Sequence, residues 1–194
     1  MMNKKGKIVM ATTYFSSDLH FNHDRAFIYE NRGFKTVEEM NETIISRFNE
    51  KVQENDTLFL LGDIMLGSDY EAGAVLINRL NCKNIKIIRG NHDTNKRIEI
   101  YQTLCPNVEF LGWADVIRLN KRNYYLSHYP TLVNNFDETQ PFNLYGHTHQ
   151  KTSFYQDMPM NYHVGVDSHN CYPVSIEEIE QDIANKIEEG KKFL

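Results

Sequence analysis

Ile85-Lys86-Ile87-Ile88-Arg89-Gly90-Asn91-His92-Asp93 is the stretch on which the reading of the fold turns. A short run rich in isoleucine ends beside a glycine and passes directly into an amide, an imidazole and a carboxylate. Short apolar runs bounded by glycine or polar residues read as buried strands. The same pattern occurs four more times. Residues 8–15 lead into Asp18-Leu19-His20, residues 57–61 into Gly62-Asp63, residues 124–126 into Ser127-His128, and residues 142–145 into Gly146-His147-Thr148-His149.

Helical patterns lie between some of these runs. Thr36 and Glu39 make a Thr-x-x-Glu capping box. Val37, Met40, Ile44, Phe48 and Val52 follow at steps of three and four, which gives one apolar face. Residues 69–80 are a second, weaker candidate. Ser175 and Glu178 repeat the capping box, Ile176, Ile179, Ile183 and Ile187 keep the helical step, and Gly190 is the expected terminator. Residues 113–126 read as two strands joined by a turn at 120–123. Strands alternating with helices, followed by a strand-rich second half, predict a layered α/β fold with mixed sheets. No repeat, low-complexity tract or linker divides the chain, so residues 1–194 read as one domain.

Composition narrows the class. The 194 residues are 41% hydrophobic and 24% charged, an ordinary globular balance that argues against disorder. A net charge of -5 gives no general attraction to a polyanion. Cys82, Cys105 and Cys171 are odd in number and widely spaced, with no CxxC, which fits a reduced chain and a cytoplasmic location by default. Lys4, Lys5 and Lys7 precede an apolar run too short for a signal sequence, and no stretch approaches the length of a membrane span.

The chemistry lies where the strands end. In open α/β sheets the carboxyl ends of neighbouring strands converge on one crevice, so residues as far apart as Asp18 and His149 can share a site. Carboxylate plus imidazole without thiolate suits first-row divalent ions such as Mn, Fe, Co, Ni or Zn, whereas calcium prefers all-oxygen cages. Asp18, His20, Asp63, Asn91, His128, His147 and His149 exceed what one ion needs; two ions sharing a bridging carboxylate would use all of them. Two ions about 3.5–4 Å apart can clamp the attacking and leaving oxygens of an in-line displacement at phosphorus. A single Gly-Asp or Gly-His pair is an ordinary turn feature, but His20, His23, His92, His128, His147 and His149 all fall in or beside the five clusters.

With these residues in hand, the sequence resembles the calcineurin-like metallophosphoesterase superfamily, on Asp18-Leu19-His20, Gly62-Asp63, Gly90-Asn91-His92-Asp93, Ser127-His128 and Gly146-His147-Thr148-His149. The opening Asp18-Leu19-His20-Phe21-Asn22-His23 is similar to that of a small bacterial and phage branch of predicted phosphoesterases. The resemblance implies a four-layer α-β-β-α sandwich of two mixed sheets. It implies that Asp18, His20 and His149 bind one metal, that Asn91, His128 and His147 bind the other, and that Asp63 bridges them. It implies a metal-bridging hydroxide as nucleophile and His92 as the acid that contacts the phosphoryl group and protonates the leaving oxygen. Manganese is the expected ion. An imidazole beside a cationic centre suits general-acid work near neutral pH.

Several readings stay open at this point. Arg89 precedes the Gly90-Asn91-His92 loop as a phosphate-gripping arginine does in protein serine/threonine phosphatases, and it can equally be an exposed strand end. His23 leans toward the substrate or is a surface residue. The second aspartate that those phosphatases carry three residues after the bridging one is Leu66 here, so a protein phosphatase of that type is not expected and a partner orienting His92 is missing. Asp167 is a partner behind the ligands or a turn residue; His163 and His169 receive no role. A small soluble phosphorylated substrate is favoured over DNA or RNA, although Arg25, Arg32, Lys35, Lys96 and Arg97 can form a basic rim and Tyr29 and Phe34 can stack on bases. Phe154 and Tyr155 read as exposed aromatics. A non-catalytic metal-binding scaffold on the same fold ranks below the enzyme, because the ligands and His92 are all present.

Overall fold

The structure is a computed structural model that describes residues 11–131 and 141–191. Among the described residues, a one-turn helix α1 (Ala26–Tyr29) follows the first strand, and nine strands form two sheets. The first holds β1 (Thr13–Ser16), β2 (Thr57–Leu61), β3 (Ile85–Ile88), β4 (Val108–Gly112) and β9 (Val174–Ser175), in the order β4-β3-β2-β1-β9. The second holds β5 (Ala114–Leu119), β6 (Arg122–Ser127), β7 (Phe142–Tyr145) and β8 (Asn161–His163), in sequence order. Both sheets are mixed: β1 to β4 run parallel with β9 antiparallel at the edge, and β6 to β8 run parallel with β5 antiparallel. The expected α/β fold of two mixed sheets with helices is the one observed.

Period-two alternation explains how the sheets pack. On β2 and β3, Leu58, Leu60, Ile85 and Ile87 join a core with the helices α2 (Val37–Lys51), α3 (Tyr70–Asn78) and α4 (Asn95–Leu104) through Met40, Ile44, Phe48, Ala74, Ile77, Ile98 and Tyr101. Their neighbours Phe59, Leu61 and Ile88 point the other way, into a second core with Tyr124, Leu126, Phe142, Leu144 and Tyr162 of the second sheet. A strand buried on both faces is apolar at most positions, which is why residues 57–61 and 85–88 stand out as apolar runs interrupted only by Thr57 and Lys86. The C-terminal helix α5 (Ile176–Lys191) adds Ile176, Ile179 and Ile183 to the core shared by the sheets. Among the described residues no helix is long and apolar enough to cross a membrane.

Local signals are met with some differences. Thr36 caps α2 by accepting from the Glu39 amide, and the Glu39 carboxylate turns back to the Lys35 amide. Asp69 caps α3. The turn between β5 and β6 carries positive φ at both Asn120 (48°) and Lys121 (66°), the mirror-image turn that matches strand twist. β1 is shorter than residues 8–15; Ile8, Val9 and Met10 lie outside the described residues. α5 runs through Gly190 to Lys191, so Gly190 does not terminate it: one glycine weakens a helix without forcing its end. α4 and β4 carried no strong sequence signal. On α4 only Ile98 and Tyr101 are buried, too few to make an apolar stripe. All three cysteines are buried and free.

The reciprocal box at Ser175 tests the start of α5. Ser175 Oγ accepts from the Glu178 amide at 3.2 Å, and the Glu178 carboxylate accepts from the Ser175 amide at 2.8 Å. Ser175→Ala should lower stability by about 1 kcal/mol, read as an earlier urea midpoint with an unchanged slope; an unmoved midpoint would remove the cap from the account of this helix.

Candidate metal centre

Strand register brings the clusters together. Ser16 pairs with Leu60 and Leu61 with Ile88, so the chain exits of β1, β2 and β3 lie side by side. Beyond the strands, the Asp18 amide donates to Gly62 O and the His20 amide to Asp63 O. In the second sheet Leu126 pairs with Leu144, and the Gly146 amide donates to His128 O. A single parallel bridge between Ser17 and Gly165 ties the exit of β1 to the segment following β8.

Left-handed turns then aim the side chains. Asp18, His20, Asp63, His147 and His149 all have positive φ, between 48° and 68°. Asp, Asn and His tolerate that region better than most residues with a Cβ, but it still stores strain, and such strain gathers at functional sites. Glycines supply the close approach: a Cβ at Gly90 would overlap the Asp63 carboxylate, and one at Gly146 would overlap Ser17 and Asp18.

Two groups of donors result. Asp18, His20 and His149 present ligand atoms within 4.8 Å of one another, as do Asp63, His128 and His147. Asp63 lies between them: its Oδ2 is 3.4 Å from His128 Nε2, 3.7 Å from His20 Nε2 and 3.9 Å from His92 Nε2. Asn91 Oδ1 is 2.9 Å from His128 Nε2, which brings the seventh candidate to the second group. The donor chemistry fits divalent cations. His20 Nε2 and His149 Nε2 face each other at 3.2 Å. His128 donates its Nδ1 proton to Leu61 O, leaving Nε2 to face the group.

Charge in the site is strongly coupled. Burial works to raise Asp63, but the hydrogen bond and charge of His128, the His92 amide and His20 outweigh it and hold the carboxyl at about 2. Burial works to lower His128, but Asp63 and Asp18 outweigh it and push the imidazole up to about 9. A cation arriving here therefore displaces a proton, so metal uptake and proton release are linked. Asp18 is raised by its burial, and burial lowers His20 well below the ordinary histidine value.

A sequence profile of the calcineurin-like phosphoesterase superfamily domain matches residues 13–166. The chain belongs to that superfamily. Its domain is that of a metal-dependent hydrolase acting on phosphoester bonds. This phosphoesterase is 32% identical over 188 residues to an uncharacterized protein of Methanocaldococcus jannaschii, covering 94% of each chain. It is 28% identical over 214 residues to the gene 66 protein of Mycobacterium phage L5, covering 93% of this chain and 97% of that one. A crystal structure of a protein of unknown function from Aquifex aeolicus shares the fold, with a TM-score of 0.68 and 22% identity over 89% of this chain and 99% of that one.

Other expected residues of the phosphoesterase are placed as follows. His92 borders the site with its side chain 43% exposed; its amide donates to Asp63 Oδ1, and its ring meets that of His20 edge-on at 5.5 Å. His23 is buried rather than at the surface, with Nδ1 3.2 Å from His20 Nδ1 and its ring 6.4 Å from that of His92. Burial lowers His23 to about 4, with the neighbouring His92 adding to the shift. The Arg89 guanidinium lies over the Trp113 ring at 4.5 Å, and its buried Nε has no hydrogen-bond partner. Arg97 is tied to His92 O and Gly67 O. Three expectations need correction. Tyr29 and Phe34 are half-buried, packed against the first core. Arg32 is no rim residue: its side chain is 2% exposed and bonded inward. Phe154 and Tyr155 are likewise half-buried, packed on Tyr162 and Tyr145.

Sequence reasoning undervalued two aspartates. Asp93 is fully buried and accepts from the Asp63, Ile64 and Gly90 amides and from Tyr101 Oη, locking two ligand loops together. Asp167 Oδ2 accepts from His149 Nδ1 at 2.9 Å, while Arg32 donates to both Asp167 oxygens and to Asp18 O. Burial works to raise Asp167, but His149 and Arg32 drive it well below the usual carboxylate range. A carboxylate behind a ligating imidazole fixes its tautomer and orientation. The sequence offered only the position of Asp167 after a strand-like run.

Asp167→Asn keeps size and removes charge. It should weaken binding of a divalent cation by about 10- to 100-fold, measured by titration calorimetry with Mn²⁺ as the probe. An unchanged affinity would show that cation binding does not depend on that support.

Proposed function

We propose that this phosphoesterase is a dinuclear enzyme acting on a small soluble substrate, with Asp18, His20, His149, Asn91, His128 and His147 holding two cations about the Asp63 carboxylate. The observation that carries this reading is the position of Asp63 Oδ2, within 3.4 to 3.9 Å of three imidazole Nε2 atoms and between two donor groups. A buried carboxylate facing so many donors is well suited to draw two cations together. Mn²⁺ suits the set, with Fe, Co, Ni or Zn as alternatives. Such a pair, when bound, supplies Lewis-acid polarisation of the phosphoryl oxygen and a water of lowered pKa.

The chain's own residues do the rest. His92 is more exposed than His20 or His128, so its ring can meet a substrate that those ligands hold from below. Its amide bond to Asp63 and the Arg97 clasp on its carbonyl oxygen keep the loop from shifting. From that position His92 gives its proton to the leaving oxygen. His23 backs His20 through the Nδ1 pair and steadies the orientation of that imidazole. Arg89 brings a guanidinium, held over Trp113, to the edge of the same loop, and a planar fork of that kind suits a phosphoryl oxygen. The absence of general charge attraction favours a small phosphorylated molecule over a long polyanion.

With Mn²⁺ present, the purified protein should hydrolyse bis-p-nitrophenyl phosphate or p-nitrophenyl phosphate. His92→Ala should lower kcat by roughly 10²- to 10⁴-fold with two ions still bound by elemental analysis, and Asp63→Asn should lose metal. Full turnover in His92→Ala, or absence of turnover in the wild type with metal bound, would overturn this assignment.

A further inference from the structure

The aromatic side chains at the surface are not scattered. Among the described residues, those classed as exposed are Phe27 at 62%, Trp113 at 61% and Tyr129 at 43%. Single exposed apolar residues are ordinary on any protein. Here each of the three touches the candidate site. Phe27 meets the His23 ring edge-on at 5.7 Å, and His23 backs His20 of the first donor group. Tyr129 packs at 4.6 Å on His147 and 5.2 Å on His128, both of the second group. Trp113 stacks under Arg89, at the root of the loop that carries Asn91 and His92. Every other described aromatic is buried or half-buried.

We propose that these three residues form an aromatic collar that selects phosphoesters of nucleosides, seating a base against an exposed ring while the phosphoryl group lies over the donor groups. This rests on the phosphoester reading above and adds the substrate class. A nucleobase offers a π-face to any aromatic side chain, and base stacking is sequence-tolerant. The partners of the collar agree with an anionic, planar ligand: histidines line its inner side and the Arg89 guanidinium lies on Trp113. The net charge of -5 argues for a mononucleoside or dinucleotide ester over a long strand. A phosphorylated amino acid with no aromatic ring offers no planar π-face to these side chains.

The test compares two diesters with one leaving group, thymidine 5′-p-nitrophenyl phosphate and methyl p-nitrophenyl phosphate, with Mn²⁺. The wild type should favour the thymidine ester in kcat/KM by about 5- to 150-fold, the range that stacking of one base provides. Phe27→Ala, Tyr129→Ala or Trp113→Ala should shrink that ratio, whereas Ile187→Ala, an exposed apolar position on α5, should keep it. Trp113 is the single tryptophan in the sequence, so its fluorescence gives a readout without turnover. Thymidine 5′-monophosphate should change it saturably and ribose 5-phosphate should not. Equal kcat/KM for the two diesters, with both hydrolysed, would overturn the collar and leave the phosphoesterase standing. Failure to hydrolyse either diester or any p-nitrophenyl ester would remove both.

Discussion

The carboxylate of Asp63 is the point on which the structure is organised. It is almost fully buried, yet one oxygen takes the His92 amide and the other faces three imidazoles. A buried anion is tolerated only when positive groups converge on it. That requirement accounts for much of what surrounds it: the in-register exits of β1, β2 and β3, the histidines delivered by the second sheet, and the glycines that leave room for close approach.

Holding such a cluster is locally unfavourable, and the protein offsets this in the layer beneath. Five candidate ligands sit in left-handed backbone, each costing of order 1–3 kcal/mol. Asp93 counters by taking four hydrogen bonds that join the Gly62-Asp63 loop to the Gly90-Asn91-His92 loop and to α4. On the other side, Arg32 reaches in to hold Asp167 and the carbonyl oxygens of Asp18 and Leu19. Both devices tie ligand loops to rigid elements, so the strained turns are held by hydrogen bonds that they do not themselves supply.

This arrangement separates two tasks. The buried residues set the positions of the donors, with Asp167 behind His149, His23 behind His20 and Leu61 O behind His128. The residues at the rim, His92, Phe27, Trp113 and Tyr129, reach solvent. Changes at the rim can alter what is bound without disturbing the donors, because the rim hangs on the loops and does not support them.

The sequence alone determined the central strands and their chemical ends. Residues 57–61, 85–88 and 142–145 are mostly apolar because both faces of a central strand are buried, and the polar residues that follow begin where that burial stops. The family and the residues that gather at the candidate site were legible for the same reason, since motif, residue type and order along the chain are local properties. Only the tertiary structure decided which distant groups meet. Nothing in the neighbourhood of Arg32 announces that it turns inward to a carboxylate 135 positions away, nor does Asp167 announce His149. α4 is held by Tyr101 and its loop contacts more than by an apolar stripe. Tyr29 and Phe34 look as free in sequence as Phe27 and Tyr129, yet the first pair is packed and the second is exposed. Exposure and pairing depend on how separate elements dock, and the linear order of residues carries that information only through the fold.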